Sequence, residues 1–328
     1  MPSRTPPPAA VRINIPTINV SEAWAPAPLR TKRLLGPRLV RLYLPVLLVA
    51  SLVVNIYYIT RPAPLALPGA LSSTRAQREQ GHQGFDEADW RQLTDLVVVP
   101  GHGVYLGAGS PLDEANWYLL EQQRGEVGAF MAHIGKGVEI VKEHSHALLV
   151  FSGGKTRIAA GAHSEAQGYW AAADHMGWLT NDVFRRVVTE EFARDSYENV
   201  LFSIARFHEL TGNYPDRITV VGFEFKRSRF VDLHRRALRY PRLRFNYVGI
   251  NPPGDAAALA RAERRNAYDL FAKDLYGCSD ALAEKRRQRN PFMLAHGYAA
   301  SCPAIAGLFG YCPSPPAAVY DGALPWLS

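Results

Sequence analysis

Short polar clusters follow each apolar run of this 328-residue chain, and they hold the side chains that could do chemistry. Gly101-His102-Gly103 follows LVVVP, and Ser152-Gly153-Gly154-Lys155 follows ALLVF. Further on, Glu191 leads through Asp195 and Ser196 to Asn199, and Lys226 and Arg229 come after ITVVGFEF. Glycine pairs can expose backbone N–H groups to an anion, and lysine and arginine add charge. Lys226 and Arg229 share a face of the helix expected there and could clamp a phosphate or carboxylate. Glu165, Glu191 and Asp195 are the candidate catalytic carboxylates, as bases or as hard-oxygen ligands for a divalent cation such as Mg²⁺ or Mn²⁺. No Asp-x-Asp pair or histidine cluster demands a metal, so no residue is assigned to one.

The ligand-binding candidates are therefore Gly101, His102, Gly103, Ser152, Gly153, Gly154, Lys155, Ser196, Asn199, Lys226 and Arg229. Each has a plainer reading beside it. The glycines could serve tight turns, and Ser152-Gly153-Gly154-Lys155 lacks the spacing of a phosphate-binding P-loop. Asp195, Ser196 and Glu198 form a capping-box-like helix start. Glu165 after Ser164 suits a helix N-terminus, where a carboxylate complements the dipole. No Gly-x-Ser-x-Gly elbow is present, which disfavours an α/β-hydrolase serine mechanism.

The elements that must position these residues are legible as short apolar runs separated by longer helical patterns. Strands are expected at Leu96–Pro100, Ala147–Phe151, Arg185–Val188, Ile218–Val221 and Phe245–Ile250. Helices are expected near Asp113–Lys142, Ser164–Met176, Ser196–Glu209, Lys226–Leu238 and Asp255–Lys273. Near-continuous apolar strands alternating with helices predict an α/β fold, a Rossmann-like parallel sheet of about five strands with helices on both faces. In such sheets ligands bind beyond the carboxyl ends of the strands, where the polar clusters fall.

The chain divides into a basic, proline-rich tail (1–41), an apolar segment (42–60), a stalk (61–89), the α/β domain (90–273) and a C-terminal extension (274–328). Seven basic residues and Glu22 lie between Arg4 and Arg41, giving +6 of the chain's formal +7. The basic pI therefore describes the tail, and a nucleic-acid partner is not expected. Leu42–Ile59 contains no charged residue, and its length of roughly 27 Å suits one transmembrane helix in the lipid bilayer. Positive charge before it predicts a cytosolic N-terminus and a lumenal domain, as in a single-pass protein of the Golgi or endoplasmic reticulum. An oxidising lumen permits one bridge among Cys278, Cys302 and Cys312; Cys302–Cys312 is the simplest pairing, though the sequence does not assign it. The stretch Lys285-Arg286-Arg287-Gln288-Arg289 reads as a solvated helix end.

The ordered set of strand–Gly-x-Gly, strand–Ser152-Gly153-Gly154, Ser164-Glu165-Ala166, and Glu191 through Ser196 to Asn199 resembles the SanA/YdcF/ElyC-like family, over roughly Asp95 to Ile250. That family is classed by domain of unknown function 218. The resemblance implies a Rossmann-like fold, membrane-anchored or cytosolic, with roles in envelope or secretory-pathway biology. The bacterial pattern carries Thr-Ser-x-Tyr-His-x-x-Arg after the fourth strand. Here Arg229 matches its Arg and Lys226 replaces its His, as in eukaryotic, notably fungal, relatives. The resemblance brings no settled reaction, though one bacterial member is associated with S-adenosylmethionine. Three readings stay open: a domain that binds, or acts as an enzyme on, a phosphorylated or nucleotide-like anion; a non-catalytic anchored module for a glycan, lipid precursor or protein; and an S-adenosylmethionine-binding protein.

Overall fold

The computed structural model describes residues 87–327; the expected tail, membrane segment and stalk lie outside the described residues. Five strands form one parallel sheet: β1 (Asp95–Pro100), β4 (Ala147–Ser152), β5 (Val187–Glu190), β6 (Arg217–Gly222) and β7 (Phe245–Gly249). A separate antiparallel ladder joins β2 (Val104–Tyr105) to β3 (Trp117–Tyr118). The parallel order is β5-β4-β1-β6-β7, so the chain winds outward from β1 first one way and then the other. Strand order reverses between β1 and β6, and that switch point opens a crevice at the carboxyl edge.

Period-two alternation divides the core. Leu96, Val98, Leu148, Val150, Ile218 and Val220 face one way, packing with α3 (Ser196–Thr211). Val97, Val99, Leu149, Phe151 and Val221 face the other, against α1 (Val127–Glu143) and α2 (Glu165–His175). Because both faces are covered, the central strands β1 and β4 carry no exposed residue. The starts of α2 and α3 are set locally. Ser164 and Gln167 form a capping box on α2. Asp195 accepts from the N–H groups of Tyr197 and Glu198, and Gly212, left-handed at φ 72°, ends α3.

Three expected helices change form. Asp113–Lys142 is not one helix: its first part supplies β3 and short 3₁₀ turns, and only Val127–Glu143 is α-helical. Lys226–Leu238 contains a π-helical segment, Arg229–His234, before a short turn at Arg235–Ala237. A second π segment, Arg264–Tyr268, follows α4 (Ala256–Glu263). The first of these carries Arg229 and His234 and the second follows the Glu263 that Arg229 meets, in keeping with the association of π-bulges with unusual side-chain placement.

The C-terminal extension is part of the same core. It includes α5 (Asp280–Gln288), and Tyr298, Cys302, Ile305, Leu308, Leu324 and Trp326 are buried beside α3. The disulfide joins Cys278 to Cys312, which corrects the simplest expected pairing. Cys302 is the free thiol, fully buried, with its sulfur toward the carbonyl of Ala205. Among the described residues no helix is long and apolar enough to cross a membrane.

Candidate functional site

A cleft of about 460 Å³ opens at the switch point, between the residues after β1 (Gly101, His102) and those after β6 (Phe223, Phe225, Lys226). Its floor is the start of α3, with Asp195, Ser196 and Asn199; α4 contributes Glu263, α5 contributes Lys285, and Arg289 follows at the end of α5. Arg157, Arg194, Lys226, Arg229, Lys285 and Arg289 bring six basic side chains to it, against the acids Glu126, Glu165, Asp195 and Glu263.

Ion pairing sorts these charges. Arg194 is held by Glu198, with Nη2–Oε1 at 2.5 Å. Asp195 is held by Arg286, with Nε–Oδ2 at 2.5 Å, while its other oxygen caps α3. Arg229 meets Glu263, with Nε–Oε1 at 2.6 Å, both nearly buried. Arg157, Lys226, Lys285 and Arg289 have no ion pair among the described residues. Lys285 donates to the Asn266 carbonyl and Arg289 to the Arg194 carbonyl, which orients both without neutralising them.

Burial tunes the cluster. Lys226 lies against the rings of Phe223 and Phe225, with Nζ 4.7 Å and 5.7 Å from their centroids. Burial, then the charge of Arg229, lowers its pKa to about 7. His102 stacks on Phe223 at 4.8 Å, and Phe225 stacks on Phe223 at 4.7 Å. Burial and the Lys226 charge hold His102 well below its usual value, so it is neutral. Burial raises Glu165 against the opposing bond from Thr156 Oγ1 at 2.7 Å.

Ser196 has a distinct environment. Arg229 Nη1 donates to its Oγ at 2.6 Å, and His234 Nε2 lies 2.7 Å away on the other side. His234 is fully buried; desolvation and then Arg229 hold it well below the usual histidine value.

The structure thus brings Gly101, His102, Glu165, Asp195, Ser196, Asn199, Lys226 and Arg229 to one cleft. Asp195 stands there as a cap and ion-pair member with both of its oxygens occupied, which favours its capping reading over the expectation of a base or metal ligand and corrects the latter. The Ser-Gly-Gly anion cradle is also corrected. The N–H of Gly153 bonds to the Glu190 carbonyl at 2.9 Å and that of Gly154 to the Ala193 carbonyl at 2.8 Å. The Gly101 N–H bonds to the Ser152 carbonyl at 2.7 Å.

Close approach explains these glycines. A Cβ at Gly101 or Gly153 would come 2.5 or 2.8 Å from Glu165 Cβ, and one at Gly154 would meet the Ala193 carbonyl at 2.8 Å. At Gly103 a Cβ would meet Leu119 at 2.7 Å. Ser152 is fully buried, bonding Glu190 at 2.7 Å and Asn199 at 2.9 Å. Lys155 and Glu191 line a separate depression with Thr189, Arg206 and Tyr298; Glu191 accepts from Thr189 Oγ1 at 3.0 Å.

Several residues of the cleft carry no sequence assignment. Lys285 and Arg289 belong to the basic stretch read as solvated, and their i,i+4 spacing was the available signal for a shared inward face. Arg157, Glu126 and Glu263 had no local signature, and neither did His234, which reaches Ser196 from a segment 38 residues away. Glu190, beside the assigned Glu191, is the buried carboxylate: desolvation raises it to about 7 despite bonds from Ser152, Phe192 and Ala193. Among the described residues no group of three or more His, Cys, Asp and Glu side chains could hold a metal ion.

No family model matches the chain, and no solved structure matches it. A Saccharomyces cerevisiae protein, uncharacterised YOR238W, is 29% identical, over 63% of this chain and 87% of its own length.

Proposed function

We propose that this chain is a membrane-anchored α/β domain of the SanA/YdcF/ElyC-like kind that binds a small anionic ligand, phosphorylated or nucleotide-like, in the switch-point cleft. The observation that carries this reading is the convergence of Arg157, Lys226, Lys285 and Arg289, none ion-paired among the described residues, on a cleft where strand order reverses. Lys226 is desolvated against its aromatic neighbours, and an anionic ligand offsets the cost of keeping its charge there. Phe223 and Phe225 add an aromatic wall that suits a planar organic group.

The charge balance disfavours the competing ligands. S-adenosylmethionine carries a sulfonium cation, which an excess of basic groups repels. A divalent cation would compete with Arg286 and Arg229 for Asp195 and Glu263. A neutral glycan would leave the cations without a counter-charge.

The proposed location is the secretory-pathway lumen, with residues 42–60 in the lipid bilayer and the N-terminus cytosolic. The Cys278–Cys312 disulfide supports an oxidising compartment. The test is a thermal-shift panel on the detergent-solubilised full chain, with nucleotides, sugar phosphates, S-adenosylmethionine and divalent cations. Stabilisation by phosphate-bearing compounds, lost in Arg289→Ala, is expected. Stabilisation by S-adenosylmethionine or neutral sugars alone would refute the reading.

A further inference from the structure

The ion pairs of the cleft leave a definite residue of charge. Arg194, Arg229 and Asp195 are matched by Glu198, Glu263 and Arg286. Arg157, Lys226, Lys285 and Arg289 then face Glu126 and Glu165, so four cations against two carboxylates leave two positive charges uncompensated. Lys226 enters this count as the ammonium form that a bound anion favours. The positive end of the sixteen-residue helix α3 lies at the same floor.

Ser196 supplies the second observation. Its oxygen sits between Arg229 Nη1 and His234 Nε2. Arg229 can only donate. His234 has two tautomers, and its Nδ1 is buried without a hydrogen-bond partner. If Nδ1 carried the proton, a buried N–H would be orphaned. If Nε2 carries it, only an acceptor lone pair is left unmatched, and orphaned buried donors are the rarer of the two in folded proteins. The Nε2–H tautomer then donates to Ser196, whose oxygen receives two hydrogen bonds. Its own hydrogen has neither neighbour as an acceptor and is free to point into the cleft that Ser196 lines.

Building on the anion-site reading, we propose that the cleft selects the dianion of a phosphate monoester, with the Ser196 hydroxyl donating to a phosphate oxygen and His234 acting as its positioning residue. Two uncompensated charges match a monoester dianion and overmatch a sulfate ester or a phosphodiester, each carrying one negative charge. A donor hydroxyl flanked by Arg229 suits a phosphate oxygen, which is an acceptor only.

The test compares phenyl phosphate with phenyl sulfate, equal in shape and different in charge, by calorimetric titration of the full chain in detergent at pH 7. Inorganic phosphate is a third probe. Phenyl phosphate is expected to bind about tenfold or more tightly than phenyl sulfate. Ser196→Ala is expected to weaken phenyl phosphate about tenfold and, by leaving the Arg229 and His234 donors without their acceptor, to lower the unliganded melting temperature while the protein still folds. Nitrogen-15 shifts of His234 report the tautomer directly, with Nε2 protonated as the expected result. Equal affinity for the two esters, or an unaffected Ser196→Ala variant, would overturn the proposal while leaving the anion site standing. A protonated Nδ1 would make Ser196 a donor to His234 and overturn it as well. If neither ester nor inorganic phosphate binds, the anion-site reading itself falls.

Discussion

Lys226 couples the proposed ligand to protons, and the coupling has a magnitude. Its pKa in the free protein is about 7, against a usual 10.5, because burial and Arg229 disfavour its charged form. At pH 8 it is therefore about nine-tenths neutral. The charged groups that act on it are Arg229 and Arg289, which lower it, and Glu263 and Glu126, which raise it. An anion bound within about 4–6 Å favours the ammonium form and returns the pKa toward its usual value. Binding at pH 8 then takes up about 0.9 proton. The sign follows: the liganded protein holds more protons, so raising the pH opposes binding. Between pH 7 and pH 9 the affinity for a phosphate monoester falls about 50-fold if the pKa is fully restored. Calorimetry of the full chain with phenyl phosphate, in two buffers of different ionisation enthalpy, measures the uptake. Lys226→Met should abolish both the uptake and the pH slope. A binding heat independent of buffer, together with a flat affinity from pH 7 to pH 9, would refute the reasoning.

Three further outcomes follow from the packing. Glu190, almost fully buried, is raised from 4.5 to about 7, so its contribution to folding is complete below about pH 4 and lost as pH rises through 7; Glu190→Gln should gain about 3 kcal/mol relative to the parent between pH 4 and pH 8 in urea melts. Gly153→Ala places a methyl group 2.8 Å from Glu165 Cβ, and should cost about 1–3 kcal/mol in the same melts. Cys278→Ser opens a bridge spanning a sequence separation of 34, and should cost about 4 kcal/mol by the chain-entropy estimate; an unchanged midpoint would argue against the Cys278–Cys312 pairing.

The sheet was legible because β1 and β4 are built on unbroken apolar runs and the other three strands keep apolar residues at their centre or start, and all five appear within two residues of their expected bounds. The segment before α1 was not, because Trp117-Tyr118-Leu119-Leu120 is a short continuous apolar run that periodicity alone does not assign to helix or strand. Lys226, Arg229, Ser196, Glu165 and His102 were readable as site candidates from their position after strands. The Ser-Gly-Gly element misled, since small residues required by the close approach of Glu165 look the same in sequence as small residues that cradle an anion. Glu190 and Glu191 are adjacent and chemically identical, and only the strand's facing separates the buried one from its neighbour. Glu263 and Arg289 reach the cleft, and His234 reaches Ser196, only through tertiary folding, and neither Glu263 nor His234 has a local signature of a site.

The central claim is that an anion occupies the switch-point cleft. Its most direct test is a crystal of the protein soaked in tungstate, a heavy tetrahedral dianion whose anomalous scattering gives its position without interpretation. The account predicts a tungstate within hydrogen-bond reach of Ser196 and Arg229, with Lys226 beside it. Tungstate only at the Lys155–Glu191 depression, or only at surface arginines with the cleft empty, would contradict it.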